Sequence, residues 1–177
     1  MSLRVAALGL LAEHPASGYD LLKRFEKSMA NVWPATQSQL YSELNKLDDG
    51  GLIEVCAVGP RGRKEYRITE AGRAELRRWV ANPQQDPPFR SANLLRVFLL
   101  DLIPTKEAVA HLHAMAEHSD AEIRRLTELR ETLTGGRPVT PSDRGFFSFA
   151  ALDYGLRLNA MQAQWARSVI DELSVSD

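Results

Sequence analysis

The sequence predicts a mainly α-helical protein in two parts. Three helices, a two-stranded β-hairpin and a fourth helix come first, and an all-helical part follows. Three observations carry this reading. Apolar residues recur at helical spacing from Leu3 to Val80 and again from Leu94 onward. That rhythm is interrupted once, by the β-prone runs Leu52–Val58 and Lys64–Ile68, which Gly59-Pro60-Arg61-Gly62-Arg63 joins as a hairpin tip. Finally, Asn82-Pro83-Gln84-Gln85-Asp86-Pro87-Pro88 sets three prolines within six residues, a stretch that can neither continue a helix nor join a sheet interior. The expected organisation is therefore a first domain over 1–82, a proline-rich linker over 83–90 and a helical domain over 91–177.

The first helix covers about Leu3–Ala12, with Val5, Leu8 and Leu11 on one face, and His14-Pro15 ends it. Ser17 reads as the N-cap of the second, with Asp20 near its positive end. Leu21, Leu22, Phe25 and Met29 form its apolar stripe, and Trp33-Pro34 breaks it. The third helix opens on Thr36-Gln37-Ser38-Gln39, a capping box in which the first and last residues satisfy each other's free N–H groups. Leu40, Leu44 and Leu47 follow at i, i+4 and i+7 and face the core, and Gly50-Gly51 stops the helix. Its opposite face carries Ser38, Ser42, Asn45 and Lys46, flanked by Gln39 and Tyr41. After the hairpin, Thr69 caps a fourth helix that offers Leu76, Trp79 and Val80 for burial.

Beyond the linker, Leu94–Ile103 is nearly continuous apolar sequence. A helix over about 105–134 places Val109, Leu112, Ala116, Ile123, Leu126 and Leu133 at 3–4 spacing, and Gly135-Gly136-Arg137-Pro138 ends it. A last helix, about 143–173, carries Phe149, Leu152, Leu156, Ala163, Ala166, Ile170 and Leu173 on a heptad-like seam, widened by Leu158, Met161, Trp165 and Val169. Two helices this long exceed what so small a domain covers, so the seam predicts a homodimer. Its expected contacts are Leu112, Ile123, Leu126, Phe149, Leu152, Leu156, Ile170 and Leu173.

Composition bounds the function. With 22 basic and 23 acidic residues the net charge is −1, which excludes a uniformly basic coat. The charge is uneven, however: residues 1–82 hold 12 basic and 10 acidic side chains, a net of +2, and residues 83–177 hold 10 and 13, a net of −3. The first part therefore suits an anionic partner. One cysteine, Cys56, excludes an intramolecular disulfide and a cysteine-cluster zinc site. No apolar run approaches the ~20 residues that span a bilayer, and the N-terminus lacks a signal-peptide pattern, so a cytoplasmic protein is expected and no membrane partner.

Three helices followed by a hairpin with a basic tip form a winged helix-turn-helix. A capped helix with a small polar outer face fits the major groove of double-stranded DNA, and its serine, asparagine and glutamine can exchange hydrogen bonds with base edges. A tip bearing Arg61, Arg63 and Lys64 reaches phosphates or the adjacent minor groove. Either feature alone also describes a solvated helix or a soluble turn; the assignment rests on their order and spacing together.

At this point the chain resembles a known family. Ser17-Gly18-Tyr19-Asp20-Leu21-Leu22, Gln39-Leu40-Tyr41-Ser42-Glu43-Leu44-Asn45-Lys46-Leu47, Gly51-Leu52-Ile53 and Lys64-Glu65-Tyr66-Arg67-Ile68-Thr69-Glu70-Ala71-Gly72-Arg73 are similar to the PadR family of bacterial transcriptional regulators. The helical second part is similar to its larger, AphA-like subfamily, where that part is a dimerisation domain. The resemblance covers residues 3–80 strongly and 90–175 loosely. Ser42 stands where the family often has proline. The resemblance implies a dimeric repressor reading an inverted repeat in a promoter, with Tyr19, Tyr41 and the wing basics as DNA contacts. It also implies, for some relatives, a small phenolic or lipid-like effector between the domains.

Other residues read more plainly. His113 and Glu117 stand at i, i+4, the spacing of a metal pair, but no further ligands follow at typical spacing, so His111, His113 and His118 read as solvated helix histidines. Cys56 lies in an apolar strand without a resolving partner and is expected to be buried. Tyr154 and Trp165 suit a dimer core more than an effector pocket. No catalytic motif is present, so neither an enzyme, a cofactor nor a metal is expected. The alternative from a different class is a winged-helix protein-interaction module without DNA binding.

Overall fold

A computed structural model of the chain describes residues 2–28, 35–82 and 91–175. The expected break at Trp33-Pro34, the place of Met29 in the second helix and the linker over 83–90 lie outside those residues. Two compact units, Met1–Pro87 and Pro88–Asp177, divide the chain.

The first unit is built from α1 (Ser2–Glu13), β1 (Ala16–Ser17), α2 (Gly18–Ser28), α3 (Gln37–Asp49), β2 (Ile53–Val58), β3 (Lys64–Ile68) and α4 (Glu70–Ala81). Leu8 and Leu11 of α1, Leu21 and Phe25 of α2, and Leu40, Leu44 and Leu47 of α3 meet in one core with Ile53 of β2. These side chains come from stripes at 3–4 spacing, which is why the helices pack as the sequence predicts. The capping box is present: Gln39 N donates to Thr36 Oγ1 at 3.3 Å, and Thr36 N donates to Gln39 Oε1 at 2.9 Å. α3 stops before Gly50-Gly51, as expected.

The sheet is antiparallel with order β1-β3-β2, so a third strand joins the expected hairpin. Ala16 lies opposite Tyr66 and Ser17 opposite Glu65. A strand of two residues carries no periodicity, and only its partner reveals it. β2 and β3 pair with a bulge: Val55 faces Tyr66, Ala57 faces Glu65, and Cys56 is the extra residue between. The bulge corrects the expected burial of Cys56, which is exposed. An inserted residue breaks the in–out alternation and turns the thiol out of the core.

α4 is capped as predicted, Thr69 Oγ1 accepting from Gly72 N at 3.1 Å and donating to the Gly51 carbonyl at 2.8 Å. Gly72 lies so close to β2 that a Cβ there would stand 2.1 Å from the Leu52 carbonyl oxygen. Arg4 of α1 pairs with Glu75 at 2.9 Å. Leu76 packs on the core, whereas Trp79 and Val80 are exposed, contrary to expectation. The residues of α4 that meet the core are Gly72 and Leu76, and its last turn carries Trp79 and Val80 beyond it.

The second unit comprises α5 (Ala92–Phe98), a 3-10 turn at Leu100–Leu102, α6 (Thr105–Thr134) and α7 (Phe146–Val175). Ser91 caps α5, accepting from Leu94 N at 3.2 Å. Leu126 meets Gly155, and Asp120 pairs with Arg167, so α6 and α7 run antiparallel. α7 begins three residues later than expected because Asp143 folds back to accept from Thr140 N at 2.7 Å and to pair with Arg137 at 2.9 Å. Among the described residues, no helix is long and apolar enough to cross a membrane.

Candidate nucleic-acid interface

The buried leucine stripe of α3 turns its other face to solvent. Ser38, Gln39, Ser42, Asn45 and Lys46 are all exposed, and Tyr41 is 38% exposed. Leu40, Leu44 and Leu47 fix the rotation of the helix about its axis, so this face is set by the core beneath it. Lys46 pairs with Glu43 at 2.6 Å across one turn, which partly neutralises the far end of the face. The first two turns remain polar and uncharged at Ser38, Gln39 and Ser42, the character suited to base edges.

Tyr41 does not stand alone. Its ring lies against the start of α2, where a Cβ on Gly18 would come within 2.6 Å of Tyr41 Cε1. The ring occupies the space a side chain at position 18 would take, so α2 and the exposed face of α3 are packed together through Tyr41. Tyr19, the next residue, is 51% exposed, and the Lys23 ammonium sits 4.6 Å from its ring centroid, a cation–π contact. Tyr19 and Tyr41, which the resemblance assigns to DNA, thus border one junction of α2 and α3.

The wing tip is a 3-10 turn over Pro60–Gly62, closed by Gly59 N donating to the Arg63 carbonyl at 2.8 Å. Lys64 is exposed. The Arg61 side chain lies outside the described residues. Arg63 reaches back across the fold: its Nη2 donates to Asp20 Oδ2 of α2. The same Oδ2 accepts from the Ser17 hydroxyl at 2.8 Å. The Ser17 hydrogen bond, aided by the Arg63 charge, holds the Asp20 carboxyl below the usual aspartate range. Sequence reasoning placed Ser17 and Asp20 only as helix-start residues; a partner 43 positions away left no local signal.

In the second unit the expected dimer residues divide. Leu112, Leu126 and Ile170 are buried within this chain, where α6 packs on α7. Ile123, Phe149, Leu152, Leu156 and Leu173 are half-buried. Of the apolar residues expected beside them, Leu133, Leu158 and Met161 are exposed, and so, outside the expected seam, are Phe98 at 82%, Leu102 at 79% and Phe147 at 84%, with Leu94, Leu95 and Tyr154. His113 and His118 are exposed, and among the described residues no three His, Cys, Asp or Glu side chains gather as a metal site.

Comparison with known proteins gives this arrangement its context. Residues 7–78 match the Transcriptional regulator PadR-like family, and residues 89–174 match the Virulence activator alpha C-term family. The chain belongs to the PadR-like family. It is 27% identical over 173 residues to the Negative transcriptional regulator PadR of Bacillus subtilis, spanning 95% of each chain. A crystal structure of that PadR in complex with operator DNA superposes with a TM-score of 0.85, covering 97% of both chains at 27% identity. The Vibrio cholerae virulence activator AphA superposes at 0.81, covering 99% of both at 26% identity. As a PadR-like protein with an AphA-like second part, this chain is a DNA-binding transcriptional regulator with a winged helix.

Proposed function

We propose that this PadR-like regulator binds double-stranded promoter DNA in the cytoplasm as a homodimer, reads an inverted repeat, and represses transcription. The observation that carries this is the capped α3, whose exposed Ser38, Gln39, Ser42 and Asn45 lie opposite a fully buried leucine stripe in the same unit as a basic wing. In this reading those four residues meet base edges, and Tyr19, Tyr41, Lys46, Arg61, Arg63 and Lys64 meet phosphates or the minor groove. Two copies of α3 related by a dimer axis would read half-sites about 34 Å apart, one turn of DNA. The exposed apolar surface of the second unit supports the dimer, with Phe98, Leu102 and Phe147 added to Leu156 and its half-buried neighbours.

The Bacillus subtilis relative bears the name of a negative regulator and has been crystallised with p-coumaric acid. By analogy, a small apolar or phenolic effector would release this protein from DNA. The test is selection of bound duplexes from a randomised pool by the full-length protein. Enrichment of an inverted repeat is expected. No enrichment, together with no salt-sensitive binding to any duplex by fluorescence anisotropy, would refute the proposal and favour a protein-interaction module.

A further inference from the structure

The segment from Ser17 to Asp20 touches both elements assigned to DNA. Gly18 makes room for Tyr41 of α3, and Asp20 holds Arg63 of the wing. The place of the carboxylate is set before Arg63 arrives. Ser17 is buried, 3% exposed, and its backbone is pinned by pairing with β3. Its hydroxyl fixes Oδ2 at 2.8 Å, and Asp20 N returns a bond to Ser17 Oγ at 3.3 Å. A guanidinium carries five N–H donors in a rigid plane, and Asp20 engages it through Nη2. The rest of that plane can still meet a phosphate or enter a narrow minor groove.

An exposed ion pair of this kind adds little to fold stability, because solvent screens it. Its effect falls on the wing. We propose that Asp20 is a positioning residue that sets specificity: it presents the Arg63 guanidinium in one orientation, so that the wing favours its target duplex over other DNA. The proposal rests on the assignment of Arg63 to DNA. Two effects combine, and only the second changes the ratio of the affinities. The carboxylate repels the phosphates of any duplex, and the oriented arginine gains its contact only where groove shape suits it. Holding a long side chain in place beforehand also lowers the ordering cost on the right site.

The test uses the full-length protein, a duplex it enriches from a randomised pool, and an unenriched duplex from that pool. Asp20→Asn should leave binding to the unenriched duplex equal or tighter, and lower the ratio of the two affinities by about threefold to tenfold per protomer, as for losing the preorganisation of one long side chain. Ser17→Ala leaves the charge intact and should lower the same ratio. In an Arg63→Ala background, Asp20→Asn should leave the ratio unchanged. An equal gain on both duplexes would mean that Asp20 contributes charge alone, and an equal loss with a lower Tm would mean that it only supports the fold; either overturns the proposal. If Arg63→Ala alters binding but Asp20→Asn and Ser17→Ala do not move the ratio, the proposal fails and the wing assignment stands. If Arg63→Ala has no effect on either duplex, both fail.

Discussion

Replacing Gly18 by alanine separates the reading face from the fold that carries it. A Cβ at this position would lie 2.6 Å from Tyr41 Cε1, where ordinary contact is 3.4–4 Å. The ring edge must therefore retreat by roughly 1 Å. The obstacle is the far end of a side chain, so the retreat costs about 0.5–1.5 kcal/mol as an off-rotamer torsion. Alanine recovers up to about 1 kcal/mol over glycine within a helix, less at its first position. The two nearly cancel, and stability should change by less than about 1 kcal/mol. The Tyr41 phenol, in contrast, moves by more than a hydrogen bond tolerates, since a bond stretched from about 2.8 to 3.6 Å is lost. A hydrogen bond to a charged group contributes about 1.5–3 kcal/mol, so DNA affinity should fall at least tenfold for each such contact. Thermal denaturation and anisotropy on one preparation measure both quantities, with Tyr41→Phe as the variant that removes the hydroxyl without a clash. A folded Gly18→Ala protein with wild-type affinity would refute the role given to Tyr41.

The remaining predictions use the same two readouts or the oligomeric mass. Gly72→Ala should cost more than about 3 kcal/mol and lower Tm sharply, because its Cβ would stand 2.1 Å from a backbone oxygen that cannot swing away; an unchanged Tm would contradict the packing of α4 on β2. Phe98→Glu should yield a folded monomer by sedimentation, whereas Ile170→Glu, which buries a charge between α6 and α7, should unfold the second unit; a Phe98→Glu dimer would exclude that surface from the interface. The folded pKa of Asp20 is lowered, so the stability it contributes is present above the usual aspartate range and is lost as pH falls through the lower folded value. Asp20→Asn should therefore lower Tm slightly at neutral pH and leave the acid end of the Tm-against-pH curve unchanged, which flattens part of its acid limb.

What the sequence made legible is what is local. The Thr36–Gln39 box and the Leu40, Leu44 and Leu47 stripe lie within a dozen residues, and together they fix where α3 begins and which face it buries. The β3 strand is bounded by turn residues and occupies Lys64–Ile68 as read from its β-prone run. What stayed hidden depends on partners far along the chain. β1 is too short to show a period and exists through Tyr66 and Glu65. The exposure of Cys56 follows from a bulge that only the register with β3 reveals. The crowding at Gly18 comes from a ring more than twenty positions away, and the tie between Asp20 and Arg63 spans still more chain. In the second unit, heptad spacing located α6 and α7 but could not apportion their faces: Leu112, Leu126 and Ile170 bury against the sister helix, while Leu133, Tyr154, Leu158 and Met161 of the same two helices stay exposed along with Phe98, Leu102 and Phe147.

The central claim is that the outward face of α3 reads bases. It is tested most directly by determining, base pair by base pair, the preference of Ser38→Ala, Gln39→Ala, Ser42→Ala and Asn45→Ala variants on duplexes carrying single substitutions in the selected site. The account predicts that individual variants lose discrimination at particular positions, symmetrically in both half-sites. A bidentate contact such as one from Asn45 should account for about 1–3 kcal/mol at its base pair. Four folded variants with wild-type affinity and wild-type preference at every position would contradict it.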